Sequence, residues 1–213
     1  MVRLVIFDFD GTLANTRDIH YEVYRRIAME KGMTVHSREE IEKLSTLSIQ
    51  ARFKRFGVPL FKLPGLVRRA LVIFGELIAS AEMFPGIREL LVKLEGQKIL
   101  MAVVSSNSVG NIRRFLSMHG ISCFAHIKGK APIFGKHRVI RRLVRKTGCR
   151  RQDVLYVGDE IRDILACRKI GVPVAAATWG YDHRDLLETG TPDHIVDQPM
   201  DLLDLCVPLK ERT

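Results

Sequence analysis

The chain reads as a doubly wound α/β domain, a parallel sheet with helices on both faces, interrupted by an inserted helical module. Three observations predict this. A short apolar run, Leu4 to Phe7, ends abruptly in Asp8-Phe9-Asp10-Gly11-Thr12. Apolar strands and amphipathic helices alternate from Phe84 onward, and the stretch before them carries only helical pattern. The expected division is an α/β core over 1–14 and 84–213, with a helical cap over 15–83.

Taken in order, Leu4 to Phe7 is β-branched and aromatic without polar alternation, as a strand buried on both faces of a parallel sheet should be. From Arg17 to Lys31, Ile19, Val23 and Ile27 form one apolar stripe, stopped by Gly32. Ser37 followed by Glu40 has the form of a capping box and opens a short helix carrying Ile41 and Leu44. A third helix, near Leu47 to Phe56, sets Ile49, Phe53 and Phe56 on one face and ends at Gly57 before Pro59. The fourth, Leu63 to Ala81, is apolar around much of its circumference and is expected at the centre of the bundle.

The core pattern resumes at Phe84-Pro85-Gly86. Ile87, Leu90, Leu91 and Leu94 line a helix up to Gly96, and Ile99 to Val104 is a strand ending in Ser105-Ser106-Asn107. A helix follows from Val109 to His119, then a weaker strand from Cys123 to Ile127. Val139, Ile140, Leu143 and Val144 form the buried face of a helix whose outer face is Arg138, Arg141, Arg142, Arg145 and Lys146. Val154 to Val157 is a fully apolar strand ending in Gly158-Asp159, with a helix from Ile161 to Ile170 and a strand from Val172 to Ala176 after it. His194-Ile195-Val196 reads as a short edge strand and Leu202 to Leu205 as a closing helix.

At 213 residues and 46% hydrophobic content the chain can bury a full core. The cysteines, Cys123, Cys149, Cys167 and Cys206, are scattered, so neither a zinc site nor a disulfide framework is indicated. No signal peptide is evident, and the most apolar stretch, Ala70 to Ala81, is too short for a bilayer and contains Glu76. A cytoplasmic protein, monomeric or homodimeric, is expected. The net charge of +10 is spread over several predicted helices without a basic tail. It is read as solvated helix faces and a field that draws in a small anionic substrate. Neither nucleic acid nor membrane is an expected partner, and the seven histidines show no ligand spacing.

Three strand ends carry groups that phosphoryl transfer needs. Asp8 and Asp10, two apart, can both turn towards one pocket, with Gly11 permitting the tight turn. One carboxylate can attack phosphorus while its neighbour handles protons. Fixing Asp-x-Asp-Gly-Thr by chance in such a chain has a frequency on the order of 10⁻³. Asp159 and Asp163, at spacing four, lie on one helix face where hard oxygen ligands suit Mg²⁺. Ser105 can donate to a phosphoryl oxygen, with Ser106 and Asn107 as competitors. Lys136 can meet the charge developing in the transition state, with Lys128 and Lys130 as rivals.

Asp8-Phe9-Asp10-Gly11-Thr12-Leu13, the strand ending in Ser105-Ser106-Asn107, Lys136, and Gly158-Asp159-Glu160-Ile161-Arg162-Asp163 resemble, in this order, the four motifs of the haloacid dehalogenase (HAD) superfamily of hydrolases. The helical insert, with Gly171-Val172-Pro173-Val174 and Trp179-Gly180-Tyr181, is most similar to the phosphoglycolate phosphatase-like branch. The resemblance implies a Rossmann-like core and a Mg²⁺-dependent phosphatase acting on a small phosphate monoester. It makes Asp8 the nucleophile, Asp10 the acid and then base, and Ser105 and Lys136 the phosphoryl holders. It assigns Mg²⁺ to Asp8, the backbone carbonyl of Asp10, Asp159 and Asp163. Departures from the branch are Asn15-Thr16 where an aspartate is usual, Ile133-Phe134-Gly135-Lys136 without Lys-Pro, and a short basic cap with Arg52, Lys54, Arg55, Arg68 and Arg69. The alternatives are a phosphomutase of the same superfamily and a non-enzymatic polyanion-binding or regulatory protein.

Overall fold

The computed structural model describes residues 1–44, 47, 51, 63–132 and 135–206. Six parallel strands form the central sheet: β1 (Leu4–Phe7), β4 (Leu100–Val104), β5 (Phe124–Lys128), β6 (Val154–Gly158), β7 (Val174–Ala177) and β8 (His194–Val196), in the order β5-β4-β1-β6-β7-β8. β1 is central because its four side chains are fully buried and can pair on both edges. Leu4 to Phe7 run in register with Leu100 to Val103 on one side and Val154 to Val157 on the other. The chain winds outward from β1 through β4 to β5, then returns to β6 on the opposite side. That reversal leaves a crevice at the carboxyl ends of β1 and β6.

Alternate residues of β1 serve two cores. Val5 and Phe7 face α4 (Ile87–Gly96) and α5 (Val109–Met118), whose Ile87, Leu90, Leu94, Ile112 and Phe115 are buried. Leu4 and Ile6 face α6 (Lys136–Thr147) and α7 (Ile161–Arg168) through Ile140, Leu143, Val144 and Ile164. β8 forms one edge of the sheet, and α9 (Asp201–Cys206) closes the first core through Leu202 and Cys206. All four cysteines are free thiols, Cys167 and Cys206 buried and the others half-buried.

Between β1 and α4 the chain forms α1 (Arg17–Glu30), α2 (Arg38–Lys43) and α3 (Leu63–Leu77), followed by a 3₁₀ turn over Ile78–Ser80. Ile19 and Val23 of α1 are buried as the stripe predicts. The capping box forms: Ser37 N–H donates to Glu40 Oε2 at 2.8 Å and Glu40 N–H to Ser37 Oγ at 3.3 Å. The third predicted helix lies largely outside the described residues. α3 differs from the expectation. It is amphipathic, burying Ile73 and Phe74, with Ile78 beyond it, while Val72 is 53% exposed. Its buried side meets α1 and α5.

Three elements escape the sequence reading. Ala14–Asn15 (β2) and Glu82–Met83 (β3) pair antiparallel where the chain leaves and re-enters the sheet region, and α8 covers Arg184–Thr189. Two-residue strands carry too little sequence to show a period.

Candidate active site

The crevice at the ends of β1, β4 and β6 collects the predicted residues. After β1 the backbone turns through Gly11 at φ 78°, and Leu13 and Ala14 N–H groups both donate to Phe9 O at 3.0 Å. A Cβ on Gly11 would lie 2.1 Å from Asp159 Oδ2, so the turn and the acid fit only because position 11 is glycine. Gly158 does the same for Asp163, whose Oδ2 would lie 2.5 Å from a Cβ there.

Asp8, Asp159 and Asp163 come together, each buried, with one oxygen from each within 4.8 Å of the others. Asp8 Oδ1 accepts from Phe9 N–H at 2.7 Å, and Asp8 Oδ2 lies 2.7 Å from Lys136 Nζ. Lys136, the first residue of α6 and 3% exposed, also reaches Asp163 Oδ1 at 2.6 Å. Asp159 Oδ1 accepts from Thr12 Oγ1 at 2.7 Å and Oδ2 from Tyr181 N–H at 2.9 Å. Asp163 Oδ2 is buried with no hydrogen-bond partner in the described structure. An unpartnered buried carboxylate oxygen calls for a proton or a cation.

Electrostatics point the same way. Asp8, Asp159, Asp163 and Glu160 are buried around two cations, Lys136 and Arg162, the latter bonded to Glu160 at 2.7 Å. Two negative charges are left over when all are ionised. Burial pushes Asp8 up to about 7 despite Lys136 beside it. Burial, then Glu160 and the other aspartates, raises Asp159 well above the usual carboxylate range. Burial alone would lower Lys136, but Asp163 and Asp8 more than offset it and raise its affinity for the proton. A divalent cation among the three aspartates would remove the excess, and hard carboxylate oxygens fit Mg²⁺.

Asp10 lies apart from that trio. Its carboxylate accepts from Asn107 Nδ2 at 3.1 Å on both oxygens and from Thr16 Oγ1 at 3.1 Å, with Ser105 Oγ at 3.4 Å. Ser105 is buried and Ser106 half-buried. Lys128 and Lys130 contribute backbone groups here: Lys128 O accepts from Ser105 N–H at 2.9 Å and Lys130 N–H donates to Asn107 O at 2.6 Å. Lys130 is exposed, and Lys136 is the lysine that meets the acidic cluster.

Four neighbours of Asp10 and Asp159 carry no role of their own in the sequence reading. Thr12 and Thr16 are fully buried polar residues flanking the first motif. Tyr181 hydrogen-bonds Thr16 through its hydroxyl, while Arg17 Nη2 donates to Gly180 O at 2.6 Å. His20 Nε2, on an exposed side chain, stands 3.6 Å from Asp10 Oδ1, its ring edge-on to Phe74 and Tyr181. The spacing of four between Thr16 and His20, one helix face just after the motif, was the available signal.

Residues 5–177 match the haloacid dehalogenase-like hydrolase family. The chain belongs to that family. It is 32% identical over 203 residues to a phosphoglycolate phosphatase of Synechococcus elongatus, covering 95% of this chain and 96% of the relative. A phosphoglycolate phosphatase of Xylella fastidiosa is 28% identical, with 92% and 90% covered. The solved structure of a haloacid dehalogenase-like hydrolase from Bacteroides fragilis superposes with a TM-score of 0.82 at 20% identity, covering 95% of this chain and all of the other, a likeness of fold. This hydrolase is thus an enzyme of the phosphatase kind, and among its described residues no helix is long and apolar enough to cross a membrane.

Proposed function

We propose that the protein is a Mg²⁺-dependent phosphatase that hydrolyses a small phosphate monoester of the phosphoglycolate type through an aspartyl-phosphate on Asp8. The observation that carries the reading is the buried trio Asp8, Asp159 and Asp163, with its excess negative charge and the unpartnered Asp163 Oδ2. The substrate class is supported by the 32%-identical relative.

Asp8, Asp159 and Asp163, with the backbone carbonyl of Asp10, would hold Mg²⁺, which when bound supplies positive charge for phosphoryl oxygens and keeps Asp8 ionised. An oxygen of Asp8 attacks phosphorus; a P–O bond to Asp8 forms as the P–O bond to the leaving alcohol breaks. Asp10, in its protonated state, gives its proton to that leaving oxygen. Asp10 then takes a proton from water, the water oxygen attacks phosphorus, and cleavage of the bond to Asp8 releases phosphate. Lys136, Ser105, Ser106 and Asn107 hold the phosphoryl group. Ser105 and Asn107, which donate to Asp10 in this structure, would supply the hydrogen bonds to the phosphoryl oxygens. The insert over 15–83 acts as the cap and selects the alcohol, and the enzyme works in the cytoplasm.

Rapid mixing with ³²P-labelled phosphoglycolate and Mg²⁺, quenched in acid, should leave label on the protein that alkali releases. Asp8→Asn should carry none. Label retained in that variant, or multiple turnover with no labelled protein, would sink the mechanism. A panel with sugar phosphates and a sugar bisphosphate tests the substrate class, and dependence on the bisphosphate would move the reading to a phosphomutase.

A further inference from the structure

The net charge of this chain has an address. Residues 96–152 hold thirteen Lys and Arg and no Asp or Glu, whereas the remainder, with twenty-one Lys and Arg against twenty-four acids, is net negative. The whole excess of +10 therefore arises in one quarter of the sequence, contrary to the expectation of a charge scattered over the surface.

The fold gathers the densest part of it on α6. Ile140, Leu143 and Val144 are spent on the sheet, which turns Arg138, Arg141, Arg142, Arg145 and Lys146 outward, all exposed. Positions i, i+3, i+4, i+7 and i+8 make a stripe about 12 Å long on one helix face. Among the described residues none of the five forms an ion pair. The contrast is α1, where Arg25 and Arg26 lie against Glu22 at 2.7 and 2.8 Å and Arg26 meets Glu76 at 3.0 Å. The field around α6 has one sign. Desolvation, then Lys169, Arg138 and Arg141, disfavour protonation of His137. Desolvation, then Lys146 and Lys128, do the same for His126 on β5. No acidic group opposes either effect.

We propose that this face of α6 binds the phosphate backbone of nucleic acid without reading sequence. The partner must be an extended polyanion, because five cations in a row with no acid among them repel one another until anions of matching spacing arrive. A nucleic-acid strand presents one charge about every 3.4 Å. Arginine predominates, and its planar fork matches phosphate oxygens in pairs. The stripe holds no apolar or aromatic side chain, so it has neither a wedge for a bilayer nor a platform for stacked bases. Binding is thereby restricted to the backbone. Lys136, at the head of the same helix, is buried in the catalytic crevice and takes no part.

The test is fluorescence anisotropy of the intact protein with a labelled duplex of about 25 base pairs, and with a single-stranded RNA of the same length, across a salt series. Binding to either should weaken about 10²- to 10³-fold between roughly 50 and 200 mM salt, as expected for about five phosphate contacts. The variant R138Q/R141Q/R142Q/R145Q should lose at least about tenfold in affinity at 50 mM salt and flatten the salt slope by about four. Its turnover of a generic phosphate ester should be unchanged, which shows that it folds. R25Q/R26Q, which removes two cations already neutralised by Glu22 and Glu76, should bind as the parent does. Absence of binding at low salt overturns the proposal. So does equal loss in both variants, which would make net charge the cause, and so does equally tight binding to polyglutamate or to vesicles rich in phosphatidylserine.

Discussion

Lys136 lies 2.7 Å from Asp8 and 2.6 Å from Asp163 with all three side chains buried, whereas Arg25 and Arg26 reach Glu22 at 2.7 and 2.8 Å on the solvent side of α1. The distances are the same and the physics is not. At the surface, water competes for each charge and two long side chains lose rotamer freedom, so an exposed pair contributes between nothing and about 1 kcal/mol. In the crevice, desolvation raises the stakes for every group, and removing one partner of a buried pair typically costs about 3–5 kcal/mol. The surface cluster balances its charges pair by pair. The buried one is left with an excess of negative charge that costs stability and that a bound cation would relieve.

The largest effect that tests this contrast is Asp8→Asn, which should lower turnover of a phosphate monoester about 10⁴-fold or more, in the range seen when a nucleophile is lost. Substantial residual kcat would remove Asp8 from the covalent role. Next, Lys136→Ala should cost about 10²- to 10³-fold in kcat, while Lys128→Ala changes it little. The reverse ranking would transfer the role to a lysine of the β5 loop. Third, Mg²⁺ at about one hundred times its dissociation constant should stabilise the fold by about 2.7 kcal/mol, seen as a rise in Tm. Asp159→Asn should abolish most of that rise; an undiminished rise would mean that the ion binds elsewhere. The smallest effect belongs to the surface cluster. The side-chain hydrogen bonds from Arg25 and Arg26 draw Glu22 down to about 2 from 4.5. Its contribution is therefore present above about pH 4.5 and lost as the pH falls towards 2. Glu22→Gln should cost less than about 1 kcal/mol in urea melts at pH 7, with no change in kcat, and the difference should vanish near pH 2. A loss of several kcal/mol would show that exposure does not govern the difference between the clusters.

How much of this was legible in the sequence follows from where each signal resides. The runs Leu4 to Phe7 and Val154 to Val157 announced a central sheet because burial on both faces leaves no polar alternation to confuse the reading. The 3.6-residue period of α6 was equally plain, and its inward residues are the ones buried. Asp8 and Asp10 were visible as two acids at a strand end before Gly11, and Asp159 and Asp163 as two acids at helical spacing just after Gly158. What stayed hidden depended on segments distant in sequence. Tyr181 and Thr16 meet across 165 positions, and the ring of His20 meets Tyr181 because α1 starts beside the loop after β7. Asn107, read as a competitor for phosphate, lies on Asp10, a partnership that exists only once β4 pairs with β1.

The hydrogen bond from Thr12 to Asp159 spans 147 positions, and it has a meaning for the life of the chain before it is a protein. Ribosomes add about 5–20 residues each second, so the first motif emerges roughly 7 to 30 s before the aspartate it must meet. Throughout that interval β1 has no neighbour on its β6 side, and four apolar residues with open backbone groups are exposed to any other strand in the cell. The nascent chain must be shielded at its very start until its last quarter is made, and a polypeptide stopped short of β6 would carry Asp8 with neither Asp159 nor Asp163 to complete the trio.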